Sequence, residues 1–357
     1  MLQTVDKAYT DEPEVLDTVL TVAATSRVER LRETLLSGKS GISIDRARIE
    51  TRIMKETEGE PMVARRAKVF AAVAREMPID ILPDELIVGC FSGKPLCWNV
   101  SPADGPGLEK RLFSQGSSKG GSRLLGVFKE NLWNEATFSD AEKTELKEDL
   151  IPYWKGEGSY EKTMSGRNYQ QIRDTRNVHV GHNCVGYGKV LAKGFLGIKK
   201  DAEERLTRID HGEPGDAAKV PFLEGVITSM DAAAELGARF AARARELAAS
   251  EANTGRKAEL LKMAEVCDRV PANPARSFHE AVQSYFFTWI LLFWEQPSVA
   301  SVSPGAADQF LYPYFERDMQ VGLTTIEEAQ ELIDCYILKL NQIPNESLST
   351  HLSVGGL

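Results

Sequence analysis

From Phe278 to Trp294 the chain reads FHEAVQSYFFTWILLFW, apolar at nearly every position. A helix without a polar face has to be buried, and this run is too short and too polar at its start to span a bilayer. The pattern breaks at Gln296-Pro297 and resumes as SPGAADQFLYPYFERD, residues 303–318. There a Ser-Pro-Gly turn leads into aromatic positions and a charged end. Irregular backbone leaving a core is a place where sites form, so a pocket is expected along this stretch.

Helical spacing recurs through much of the chain. Ile326, Ala329, Leu332, Ile333, Tyr336, Ile337 and Leu340 share one face behind Thr325 and Glu328, which have capping-box spacing. Ser139 with Glu142 and Ser277 with Glu280 predict two more such boxes. Further helices are expected from Ser26 to Gly38, from a Ser43 cap to Gly59, from Pro61 to Pro78, and over 189–209, 216–250 and 254–269. LIVGCF, residues 86–91, is short, β-rich and bounded by Gly, which predicts a buried strand. Residues 347–357 alternate as a second strand would, and the chain stops just past it as if interrupted. Stretches 94–126 and 156–188 read as loops rich in Gly. Residues 1–25 form an expected N-terminal arm, and 26–357 one further domain.

Composition adds limits. The chain has 357 residues, 42% hydrophobic and 27% charged, enough apolar material for a large core. Net charge is −9, which argues against nucleic acid or an anionic membrane as a main partner. The acidic start, MLQTVDKAYTDEPE, lacks a signal-peptide layout. Five cysteines are present, none in C-x-x-C spacing, so neither a disulfide framework nor a zinc site is suggested. They read as reduced thiols of a cytoplasmic protein, with Cys267 and Cys335 in helical cores. The basic pair Arg65-Arg66 reads as part of an ion-paired helix face.

Chemistry is densest in two places. In NVHVGHNCVGYGKVLAKGFLGI, residues 177–198, glycines permit close backbone approach while His179, His182, Cys184 and Tyr187 supply polar groups before a helix. Upstream, Arg167 and Gln171 stand four apart, and an Arg fork beside an amide suits a carboxylate, sulfonate or phosphate. A surface salt-bridge cluster around Asp174 is the structural alternative. GSSKGGS, residues 116–122, lacks the spacing of a phosphate-binding loop.

These residues together resemble the N-terminal portion of a glycyl radical enzyme of the pyruvate formate-lyase superfamily. The layout is most similar to its diol dehydratases, hydroxyproline dehydratase, choline lyase and sulfonate lyases. The landmarks are ERLRETLL (29–36), ISIDRARIETRIMKETEGEPMVARRAKVF (42–70), ELIVG (85–89), Gly181-His182 followed by YGKVLAKGFLGI, SPGAADQFLYPYFERD, and the closing HLSVGG. The resemblance implies a ten-stranded α/β barrel wrapped in helices, of which this chain would supply a predominantly helical, five-stranded half. The thiyl-forming Cys and the radical Gly would lie beyond Leu357, so no catalytic residue is expected within these residues. No Arg-Val-x-Gly radical motif is present.

The resemblance also implies a substrate wall containing Ser301 and Val302, just before the Ser-Pro-Gly turn, and raises Arg167, Gln171 and His182 as substrate contacts. Asp318 and the aromatics before it would fix that wall. No bound cofactor or metal is expected; a radical S-adenosylmethionine activase would install the glycyl radical on the C-terminal part. Expected partners are a small polar, anion-bearing substrate, that activase, the C-terminal half, and a second copy in a homodimer. Departures from the family pattern include Asn-Cys-Val-Gly-Tyr after His182 and Ala306 in place of Arg after Ser-Pro-Gly. The expected activity is radical cleavage of a C–O, C–N or C–S bond, by an assembly that this chain alone does not complete. Carbon–carbon chemistry of the formate acetyltransferase or fumarate-adding kind is the alternative within the family. An inert helical binding or regulatory module is the alternative outside it.

Overall fold

The structure is a computed structural model and describes residues 23–37, 41–92, 97–99, 139–154, 183–295, 302–342 and 352–353. Helices dominate: α1 (Ser26–Ser37), α2 (Asp45–Glu56), α3 (Met62–Glu76), α4 (Asp140–Glu145), α5 (Ile151–Trp154), α6 (Tyr187–Leu206), α7 (Pro214–Ala217), α8 (Val220–Ser250), α9 (Thr254–Arg269), α10 (Phe278–Glu295), α11 (Ala307–Gln320) and α12 (Ile326–Leu340). A single π-helical turn, Leu146–Leu150, joins α4 to α5. Among the described residues the strands form three parallel pairs. Residues Gly41–Ser43 (β1) run beside Cys97–Asn99 (β2), Asn183–Cys184 (β3) beside Val302–Ser303 (β4), and Gly305–Ala306 (β5) beside Leu352–Ser353 (β6). None of the described helices is long and apolar enough to cross a membrane.

The sequence explains most helix ends. Ser139 and Thr325 accept from the backbone N–H of Glu142 and Glu328, whose carboxylates return to the cap N–H, so both boxes are complete. At Ser277 only half the box forms. Its hydroxyl accepts from the Glu280 N–H, but Glu280 turns its carboxylate to the N–H and guanidinium of Arg276. Ser43 caps differently from expectation: its hydroxyl accepts from the N–H of Asp45 while α2 ends at Glu56, short of Gly59. The helix expected at 189–209 starts earlier, at Tyr187, and is broken at Gly194, where φ is +66°. A Cβ there would stand 2.3 Å from the Ala272 carbonyl oxygen, so only Gly lets the 270–275 loop bond to Phe195 and Leu196 N–H. The long helix expected from 216 is split into α7 and α8. Within the stretch read as an irregular loop, Cys97–Asn99 is a strand.

The core centres on α10. Fifteen of its residues are buried, Trp289, Trp294, Tyr285, Phe286, Phe287 and Phe293 among them. Helix α8 packs α3, α6 and α9 around one side of this core, and α11 and α12 cover another. Both ends of α10 are met by charges from distant segments. At the N-terminus the buried Asp318 accepts from the Phe278 N–H at 2.6 Å. At the C-terminus the buried Arg46 donates to the carbonyls of Trp294 and Glu295, at 3.0 and 3.3 Å, while pairing with Glu50. Carboxylate at the N-terminus and guanidinium at the C-terminus both complement the helix dipole and satisfy end groups that have no partner within the helix.

Residues 86–91 are buried but are not a strand. The segment runs along α10, and side chains bond backbone groups that a neighbouring strand would otherwise meet. Gln283 accepts from the Val88 N–H at 2.8 Å and donates to the Val88 carbonyl at 2.7 Å, closing the two bonds that a ladder would supply. His279 Nε2 meets the Leu86 carbonyl at 3.2 Å, Lys339 the Gly89 carbonyl at 2.6 Å, and the Trp294 indole the Phe91 carbonyl at 3.1 Å. Gly89 has φ +141°, and a Cβ there would lie 2.6 Å from the Phe286 ring. The expectation of a buried strand at 86–91 is thus met in the burial of Ile87, Val88 and Phe91 and not in the strand.

Candidate functional site

Parallel pairing of β3 with β4 brings one chemically dense region of the sequence, 177–198, beside the stretch that leads into the Ser-Pro-Gly turn. Asn183 is in register with Val302 and Cys184 with Ser303. The backbone immediately after Gly181-His182 thus lies beside the backbone immediately before the Ser-Pro-Gly turn, although more than a hundred positions separate them in the chain. Val302 is wholly buried, at 0% exposure. Arg167, Gln171, His182 and Ser301 lie outside the described residues. Val302 is the member of the expected substrate set that can be placed, and it stands on β4.

The turn is tightly defined. Gly305 has φ +69°, in the left-handed region where glycine is favoured, and its N–H donates to the Ser303 hydroxyl at 3.2 Å. Strand β5 follows at once and pairs with β6, so Leu352–Ser353 are a strand as the alternation at the chain's end predicted. Asp318 fixes the far end of the stretch by capping α10 and pairing with Arg317.

Among the described residues a pocket forms near β3. An apolar cavity of about 680 Å³ opens between α3, α6, α8 and α10, lined by Phe70, Val185, Val190, Phe195, Phe222 and Leu291 among others. No residue of the Ser303–Asp318 stretch lines it. Arg66 of the expected ion-paired face stands at this cavity and pairs with Glu295, while Arg65 donates to the Met54 carbonyl at 2.7 Å.

Protonation states bear on what these residues can do. Burial pushes the Cys90 thiol up to about 11 and Cys335 up to about 12, and raises Cys267 further. At neutral pH all three stay protonated, which excludes them as ready thiolate nucleophiles. Burial lowers His279 to about 4, so the ring is neutral, and its bond to the Leu86 carbonyl requires the hydrogen on Nε2. Among the described residues no cluster of His, Cys, Asp and Glu could hold a metal ion.

Sequence reasoning missed the side chains that hold these segments, namely Gln283, His279, Lys339 and Trp289. Their signal was present only as polar or indole positions inside an otherwise apolar run. A buried Gln or His in such a run must bond something, and extended backbone nearby is the usual candidate.

Comparison with known proteins identifies the family. The pyruvate formate lyase-like family matches residues 21–355. Isethionate sulfite-lyase of Oleidesulfovibrio alaskensis is 33% identical over 327 residues, covering 87% of this chain and 38% of the relative. Trans-4-hydroxy-L-proline dehydratase of Clostridioides difficile is 30% identical over 331 residues, covering 89% and 40%. A solved structure describing 1,2-propanediol dehydration in Roseburia inulinivorans superposes with a TM-score of 0.79 at 33% identity, over 90% of this chain and 38% of that one. The chain therefore spans about two fifths of the length of the relatives it matches. A family match over nearly the whole chain, an N-terminal alignment with dehydratases and lyases, and the same fold place this chain in the pyruvate formate-lyase-like family of glycyl radical enzymes.

Proposed function

We propose that this chain forms the N-terminal, substrate-wall portion of a glycyl radical lyase or dehydratase that cleaves a C–O or C–S bond in a small polar substrate. The observation that carries the reading is the β3–β4 pair, which sets the backbone after His182 beside the buried Val302. The relatives named above act as a sulfite-lyase and as dehydratases, which supports a bond to oxygen or sulfur as the one broken. In this reading the three parallel pairs are parts of a half-barrel, and Arg167, Gln171, His182, Ser301 and Val302 face the substrate. Chemistry awaits a thiyl Cys and a radical Gly supplied by residues that follow, so the chain alone is inactive. An activase of the radical S-adenosylmethionine class installs the glycyl radical, and the complete enzyme is a homodimer. An Arg and an amide four residues apart favour a substrate carrying a carboxylate or sulfonate.

The test is anaerobic activation of the full reading frame that contains this chain, followed by electron paramagnetic resonance and a substrate panel. Isethionate, trans-4-hydroxy-L-proline, glycerol and propane-1,2-diol form that panel. A glycyl signal with sulfite release or dehydration is expected. Absence of the signal, with an activase proven on a control enzyme, would refute the proposal.

A further inference from the structure

Strand β4 is short, and a two-residue ladder with β3 is too little to fix a strand by itself. What holds it is a set of aromatic donors. The Trp289 indole donates to the Val302 carbonyl at 3.2 Å, the Tyr187 hydroxyl to the Ser303 carbonyl at 3.3 Å, and the Tyr285 hydroxyl to the Pro304 carbonyl. Three consecutive carbonyls are thus each met by one buried aromatic side chain. Trp289 and Tyr285 stand on α10, and Tyr187 opens α6. The Tyr187 and Tyr285 rings stack with centroids 4.0 Å apart and planes 15° apart, so the two hydroxyls are held as a unit. Trp289 is wedged against Phe293 at 4.7 Å and Phe286 at 5.7 Å. Aromatic donors have few rotatable bonds, and buried among other rings they set a position rather than follow one.

We propose that Trp289, Tyr285 and Tyr187 are positioning residues for the substrate wall, fixing through three carbonyls how far β4 and Val302 stand from the reacting substrate. The inference rests on the functional reading of β4 given above and adds to it which side chains determine the wall's depth. Tyr336 provides an internal control. It belongs to the same cluster, edge-on to Tyr285 with centroids 6.1 Å apart, and is 1% exposed, yet its hydroxyl has no hydrogen-bond partner among the described residues. Deleting that hydroxyl removes no bond to β4.

The experiment compares Tyr285→Phe, Trp289→Phe and Tyr336→Phe in the activated full-length enzyme, using the panel compound that wild type turns over best. Loss of one bond to a buried carbonyl should raise KM roughly tenfold in the first two variants. Glycyl radical yield should stay near wild type, and Tyr336→Phe should match wild type throughout. A merely destabilising change would instead lower kcat and radical yield with KM unmoved. Hydrogen exchange of the peptide spanning residues 302–307 gives a readout independent of turnover, with protection expected to fall in Y285F and W289F and to hold in Y336F. Equal KM and equal protection in all three variants, with a normal radical, overturns the inference alone. A wild-type enzyme without a glycyl signal overturns the functional reading and the inference with it.

Discussion

Two non-helical segments lie against α10, and they reverse what their sequences suggest. Leu86–Phe91 is apolar and β-rich, yet among the described residues no strand pairs with it. Val302–Ala306 contains Ser-Pro-Gly, yet it supplies two short strands. At about 100° per residue, His279, Gln283 and Trp294 project from one side of α10, while Tyr285 and Trp289 project roughly 130° away from them around the helix. The first face holds Leu86, Val88 and Phe91, and the second holds Val302 and Pro304. One helix thereby serves as the hydrogen-bonding neighbour of two segments at once. The difference lies in how complete the substitution is. Among the described residues the partners of segment 86–91 are side chains, whereas 302–306 also has backbone partners. Loss of a side chain should therefore cost more on the first face than on the second.

The largest effect is expected at Lys339. Its ammonium and the Glu85 carboxylate form a pair only 3% and 2% exposed, and the same ammonium holds the Gly89 carbonyl. Lys339→Met strands a buried carboxylate beside segment 86–91 and should cost about 3–5 kcal/mol in a urea unfolding series. The double variant Lys339→Met/Glu85→Leu should recover part of the loss; an equal or larger deficit in the double variant would show that the pair matters through shape, not charge. Gln283→Leu follows, orphaning the N–H and carbonyl of Val88 together, at about 3 kcal/mol by the same assay.

The third effect is read by pH. An unfolded imidazole binds its proton near 6.5, whereas His279 in the folded chain does so only near 4. Between those values the unfolded state holds more protons, so stability is full above about 6.5 and declines as pH falls toward 4. From pH 7 to pH 5 the loss assigned to this ring is about 2 kcal/mol. Asp84, held below the ordinary carboxylate range by Arg30, weakens the fold in acid as well. The measurement is consequently the difference between wild type and His279→Gln, which should shrink toward low pH; parallel curves would contradict the assignment. The smallest effect belongs to the other face. Tyr336→Phe should leave the melting temperature within a degree or so, since no hydrogen bond among the described residues is lost, while Tyr285→Phe should cost about 1–2 kcal/mol.

How much of this could be read from the chain depends on whether the partner is local. The burial of α10 was legible because a helix without a polar face has no alternative. The boxes at Ser139 and Thr325 were legible because both halves lie within three residues. The box at Ser277 was only half right, because Arg276 competes for the Glu280 carboxylate. Segment 86–91 was misread for a deeper reason. Periodicity reports whether a run is buried, not which group satisfies its backbone, and the group here is an amide almost two hundred positions away. Among the candidate contacts Val302 can be placed. Its position beside Asn183 follows from a parallel register that no local pattern encodes.

The uniform greasiness of α10 has a further consequence. An amphipathic helix finds its rotation about its own axis from burial alone, because turning it would expose apolar surface. A helix that is apolar all round gains nothing by stopping at one angle over another. For α10 that choice falls to a handful of directional bonds, from Gln283 and Trp294 on one side, from Tyr285 and Trp289 on the other, and from Asp318 and Arg46 at its ends. They act like the teeth of a key in a smooth lock, so the few polar atoms in the most apolar stretch of the chain are the ones that select a single native arrangement.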